Sequence, residues 1–211
     1  MTDAILTLHI LAGFLALAMA GTAIGTTKGG TWHRRSGNIY VLAMLLVTLS
    51  TCALVAIRPN LFLFVIGLFS FYLVFTGWRA AMLRDGRPRW PDHLAGLAMG
   101  ATGLVMMGLG LNGLLGAGGA QAVILLVFGS IGLTMALSDW RDWRAGPVTN
   151  KARIARHLTR MLAGTTATIT AAVVVNLSFL PALVTWLGPT ALITPVIFWW
   201  NARILHGTMS A

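Results

Sequence analysis

Residues 39–57 read IYVLAMLLVTLSTCALVAI, nineteen consecutive positions without a charged side chain. A helix of about 20 such residues crosses the ~30 Å hydrocarbon core of a bilayer. The run is too long for a barrel strand and does not alternate with period two. Working outward, similar runs lie at 4–24 before it and at 61–78, 94–115, 121–138, 158–177 and 189–205 after it. The pattern predicts an all-α, polytopic transmembrane bundle of seven helices in one domain, 1–211.

Composition agrees with that pattern. Apolar residues make up 57% of the 211 positions and charged residues 9%, whereas average soluble chains have about 45–50% and about 25%. An ordinary soluble enzyme, a disordered chain and a disulfide scaffold are excluded, and Cys52 is the only cysteine. The five acids are Asp3, Asp85, Asp92, Asp139 and Asp142, so the chain has no glutamate. Chemistry built on a glutamate base or ligand, such as the H-E-x-x-H zinc site, is therefore excluded. No G-x-S-x-G, Walker, C-x-x-C or H-x-x-x-H motif occurs, and no catalytic residue is assigned.

The formal charge is +10. Fourteen of the fifteen Lys and Arg flank alternate connections or the end of segment 7, and Arg58 alone lies on the other side. By the positive-inside rule, the N-terminus is expected outside and the C-terminus in the cytoplasm. The excess then reads as membrane orientation and attraction to anionic lipids, about 1 kcal/mol per basic residue, and not as a nucleic-acid surface. Segment 1 imitates a signal peptide through Ala18 and Ala20. Its start carries Asp3 and no Lys or Arg, so a retained first helix is expected. Segment 4 holds six glycines, with Gly96 and Gly100 forming a small-xxx-small step that suits a central helix. Pro189 suits the first turn of helix 7, and Pro195 should kink it. Between helices 6 and 7, 179–188 contains Trp186 and no charge, and is expected along the outer interface. There is no convincing internal repeat.

The five histidines are the candidate chemical groups. His33, His93, His157 and His206 fall at the cytoplasmic ends of helices 2, 4, 6 and 7, while His9 lies inside segment 1. His33, Gly37, Tyr40 and Met44 share one helical face by their i, i+4, i+7, i+11 spacing. His157, Met161, Gly164 and Thr168 repeat that spacing, as do His9, Gly13, Ala16 and Ala20. A small residue one turn from a histidine leaves room for a ring, a ligand or a neighbouring helix. The alternative is an interfacial or hydrogen-bonded histidine beside residues that only aid packing. Met19, Met44, Met82, Met99, Met135 and Met161 all fall in the cytoplasmic half. Thioethers beside imidazoles suit copper(I) or haem iron, although methionine also serves as flexible packing. Asp92, Asp139 and Asp142 could orient an imidazole or balance nearby arginines.

Three stretches carry a resemblance to one family. His33-Arg34-Arg35-Ser36-Gly37-Asn38-Ile39-Tyr40 resembles an H-R-x-x-G-x-x-Y motif, and His157-Leu158-Thr159-Arg160-Met161 resembles H-x-x-R-M. Trp186-Leu187-Gly188-Pro189-Thr190 resembles W-L-x-P-T. Together they are similar to the bacterial multi-pass membrane family called domain of unknown function 2306. The resemblance implies a bacterial inner-membrane bundle and points to His9, His33, Arg34, Gly37, Tyr40, His157, Arg160 and Met161. It implies no activity. A looser likeness is to dihaem b-type cytochromes. Here the outer side has only His9, with Met106 or Met107 as conceivable partners, so one haem fits better than two.

Three functions suit these features. One is cofactor binding, haem b or copper, through His9, His33, Tyr40, His93, His157, Met161 and His206. The second is a bundle that binds or transports a small molecule or lipid. The third is an accessory subunit assembling with itself or with other chains.

Overall fold

The structure is a computed structural model describing residues 2–116 and 118–206. These residues form α1 (Thr2–Gly25), α2 (Thr31–Ile57), α3 (Leu61–Met82), α4 (Trp90–Leu115), α5 (Gly119–Ala145), α6 (Asn150–Asn176) and α7 (Ala182–Leu205). All seven are long and apolar enough to cross a membrane. The chain is a multi-pass integral membrane protein.

The spans agree with the apolar runs, but their ends do not. α2 begins at Thr31 instead of 39, α5 runs on to Ala145, and α6 begins at Asn150. A charge ends an apolar run without ending a helix, because Arg and Lys are nearly as good helix formers as Leu. The H-R-x-x-G-x-x-Y stretch is therefore helical throughout. α7 begins at Ala182, so Pro189 lies inside the helix and not in its first turn. Trp186, expected in a connection, is helical and sits edge-on to Phe62 with ring centroids 5.0 Å apart.

Helix neighbours define the architecture. α1, α2, α3 and α6 form a square: α1 and α3 each touch both α2 and α6, which stand diagonally opposite. α5 packs on α3 and α4, and α7 bridges α5 and α6. The hub is thus α3. α4 is peripheral, touching only α3 and α5 among the described residues, contrary to the expectation from its glycines.

Those glycines serve a different purpose. A Cβ on Gly103 would stand 3.2 Å from the Gly129 carbonyl oxygen, and one on Gly129 would stand 2.9 Å from Met106 Cβ. Gly96 and Gly110 likewise face Trp143 and Leu126 of α5, whereas Gly100 faces open space. The packing face therefore repeats every seven residues, and the Gly96–Gly100 step is not used. Between apolar helices in lipid, close backbone approach supplies dispersion where no hydrophobic drive exists. Gly129→Val should cost about 1–3 kcal/mol of overpacking strain. Reversible unfolding in mixed micelles measures it, with Gly100→Val near neutral.

Large apolar side chains point outward, as lipid requires: Leu97 is 71% exposed and Leu192 77%. Ala16, Ala20, Tyr40, Met44 and Val74 fill the square. Phe69, Leu73, Met99, Met106 and Phe128 form the core where α3, α4 and α5 meet.

Candidate functional site

The square holds a polar seam between its diagonal helices. Two of the three expected stripes, on α2 and α6, face each other. Tyr40 on α2 is buried, and its hydroxyl lies 3.3 Å from Thr168 Oγ1 on α6. Thr168 donates to the Gly164 carbonyl at 3.0 Å, so the Tyr40 hydroxyl is the donor to Thr168. Met44 Sδ lies 3.5 Å from the same threonine oxygen. Gly164 admits Val74 and the Tyr40 hydroxyl, since a Cβ there would meet them at 2.6 and 3.3 Å. No atom lies within 4 Å of a Cβ built on Gly37.

At the end of this seam that bears the basic connections, His33 and His157 come together. Their ring centroids are 6.3 Å apart, with planes at 81°. His33 Nδ1 donates to the Ala23 carbonyl of α1 at 2.9 Å, and His157 Nδ1 donates to the Gly77 carbonyl of α3 at 2.8 Å. A carbonyl only accepts, so each Nδ1 carries a proton. The remaining ring nitrogen, Nε2, is the one left to accept or to ligate. Each diagonal helix thus supplies a ring, and each of the other two helices supplies the carbonyl that orients it. Met161 Sδ packs on Gly77, beside the carbonyl that holds His157.

The other histidines do not join this pair. His93 packs against Trp143 at 4.4 Å, and His206 is exposed at the end of α7. His9 lies toward the opposite end, with Nδ1 3.0 Å from Ser50 Oγ of α2. Ser50 donates to backbone carbonyls one turn earlier, the Leu46 oxygen at 2.7 Å, so His9 Nδ1–H is the donor. Met106 and Met107 cannot partner His9, because α1 and α4 do not touch among the described residues. Met99 and Met106 belong to the apolar core.

Among the described residues no carboxylate accepts a hydrogen bond from an imidazole. Asp92 receives Arg79 Nε and Nη2 at 2.7 and 2.8 Å, together with the Arg89 N–H at 2.8 Å. Asp139, fully buried, receives the Tyr72 hydroxyl at 2.5 Å, Arg160 Nη2 at 2.6 Å, and Arg156. Arg160 also donates to the Met135 carbonyl at 3.0 Å and lies over the Tyr72 ring. The H-x-x-R-M stretch therefore splits: His157 and Met161 face α2 and α3, and Arg160 faces α5. Arg34 is exposed. Reading Asp139 and Asp142 as balancing arginines was correct, but the burial of this network was missed. The available signal was the i, i+3, i+7 spacing of Arg153, Arg156 and Arg160 opposite Asp139 and Asp142.

In the α1–α2 connection, Lys28 donates to the Ile24 carbonyl and sits over the Trp200 ring, and desolvation lowers its pKa below the usual lysine value. No protein-family model, curated protein or solved structure matches the chain.

Proposed function

We propose that this membrane protein holds a redox cofactor, haem b or copper, inside the square between His33 and His157. The observation that carries this reading is the paired commitment of both Nδ1 protons to main-chain carbonyls. Metal-ligating histidines characteristically donate their second ring N–H in this way, which fixes the tautomer and raises ligand basicity. The residues fit such a group. The two rings stand 6.3 Å apart, and His33 and His157 would hold such a group through the Nε2 atoms that their backbone bonds leave unused. Among the described residues no group of three or more His, Cys, Asp or Glu is placed to hold a metal. A pair of imidazoles would suit haem iron or copper(I) better than a structural zinc site, which takes four protein ligands. Facing helices of a four-helix bundle are a recurrent place for cofactors. When bound, the group supplies one-electron transfer. The protein's own part is to orient both rings through the Ala23 and Gly77 carbonyls.

The same reading has the N-terminus outside and the C-terminus in the cytoplasm of a bacterial inner membrane, supported by the one-sided Lys and Arg. Arg144 over Trp140 at 4.0 Å and Arg203 over Trp199 at 4.3 Å support an interfacial collar meeting anionic lipids at that end. Membership of the domain-of-unknown-function-2306 family is part of the reading and rests on its motifs.

The test is an absorption spectrum of detergent-purified protein made with ample haem, as isolated and after dithionite, alongside copper analysis. A Soret band that sharpens and shifts on reduction, or stoichiometric copper, supports the reading. Absence of both overturns it.

A further inference from the structure

Outside the square, at the basic end, α3, α4, α5, α6 and the two connections between them line a partly open cavity of about 50 Å³. That is room for a few waters or one small anion. Asp139 and Thr76 lie at its inner end, and Arg79, Arg153 and Arg156 line its walls. Two connections meet at its edge. The Val148 N–H of the α5–α6 connection donates to the Gly86 carbonyl of the α3–α4 connection at 3.1 Å. Gly86 has φ +66°, and a Cβ there would lie 2.2 Å from the Val148 carbonyl oxygen. The two connections meet only because residue 86 is glycine.

The charges on the wall do not cancel. Three guanidiniums face two carboxylates, and both carboxylates are already engaged. Asp92 holds Arg79, and Asp139 is shared between Arg156 and Arg160, which lies outside the cavity wall; Arg156 also pairs with Asp142 at 3.2 Å, so four guanidiniums meet three carboxylates in all. Arg153 has no carboxylate partner among the described residues. Its Nη1 donates to the Ala80 and Ala81 carbonyls at 3.0 Å each, at the end of α3. Those carbonyls carry only the partial negative charge of a helix C-terminus, so a positive excess remains beside a small cavity. Guanidinium forks match tetrahedral oxyanions in geometry and charge.

We propose that this cavity binds a phosphate group, with Arg153 as its principal contact and Arg79 and Arg156 beside it. The group comes either from inorganic phosphate or from an anionic lipid headgroup entering between the helices. This site adjoins the histidine pair, since Arg156 precedes His157 and Thr76 precedes Gly77, but it does not depend on a bound cofactor.

The test uses the full chain in detergent and in nanodiscs. Inorganic phosphate, titrated at constant ionic strength, should raise Tm saturably and broaden its own phosphorus resonance in proportion to added protein. Arg153→Gln should weaken the apparent affinity roughly tenfold. Arg35→Gln, which removes the same charge from an exposed position, should leave it unchanged. If free phosphate has no effect but nanodiscs doped with phosphatidic acid raise Tm in an Arg153-dependent way, the lipid is the source. If Arg153→Gln does not fold, Arg153→Lys keeps the charge but loses the fork, and should bind more weakly than wild type. Absence of both the phosphate and the lipid effect, or an equal effect in a folded Arg153 variant, overturns the proposal.

Discussion

Replacing Asp139 by asparagine should cost the folded protein about 3–5 kcal/mol, the range for removing one member of a buried ion-pair network. The carboxylate is fully buried and receives a tyrosine hydroxyl and two guanidiniums. An amide of the same shape keeps the volume but leaves Arg160, itself 4% exposed, without a counter-charge. Asp142 is a control within the same network. Its carboxylate is 39% exposed and pairs with Arg156 at 3.2 Å, so Asp142→Asn should cost no more than about 1 kcal/mol. The double change Asp139→Leu with Arg160→Met should recover most of the loss, because an apolar replacement of a buried pair is often neutral. Reversible unfolding in mixed micelles, measured for all four proteins, checks the order. If Asp139→Asn proved no worse than Asp142→Asn, the network would not be a main support of α5 against α6.

The second large effect concerns the histidine pair. His33→Ala combined with His157→Ala should reduce bound haem or copper to background, while far-UV circular dichroism stays that of a helical bundle. The fold should tolerate the change because neither ring supports a long-range charge. Ala23 lies in the last turn of α1, whose free carbonyls Lys28 also approaches, and Gly77 lies within the helical run of α3. Each single variant should lose affinity by at least the 10–100-fold typical of disturbing the groups that orient a ligand. His93→Ala and His206→Ala should retain full occupancy, since neither ring approaches the pair. Full retention in the double variant would exclude the site.

Much of this was legible along the chain. Seven spans could be counted because each apolar run approximates one bilayer thickness, as 39–57 shows. The stripes through His33 and His157 could be read because i, i+4, i+7 spacing is a local property of a helix. Which helices face each other could not be read. That depends on the order of helices around the bundle, so the choice of His157 over His93 and His206 as the partner of His33 emerges only in three dimensions. The same limit explains α4: its glycines report close approach, and close approach to a single neighbour looks identical in sequence to a central position. Helix ends were misjudged wherever a helix runs on through arginines, as in α5 and α6. The Tyr72–Asp139–Arg160 group stayed hidden because its members come from three separate helices.

The square of α1, α2, α3 and α6 has a consequence in time. Its fourth corner is made last: α3 ends at Met82, whereas α6 ends at Asn176. At roughly 5–20 residues per second, translation leaves the square with three of its corners for about 5 to 20 s. During that interval Tyr40 has no Thr168 to receive its proton, His33 has no facing ring, and the wall of the seam lies open to lipid. α4 and α5 are synthesised meanwhile, and they can pair through Gly103 and Gly129 without waiting. The nascent protein is thus an open clamp carrying a finished helical hairpin, and the arrival of α6 shuts it. Any group held between His33 and His157 would have its natural moment of entry before that closure.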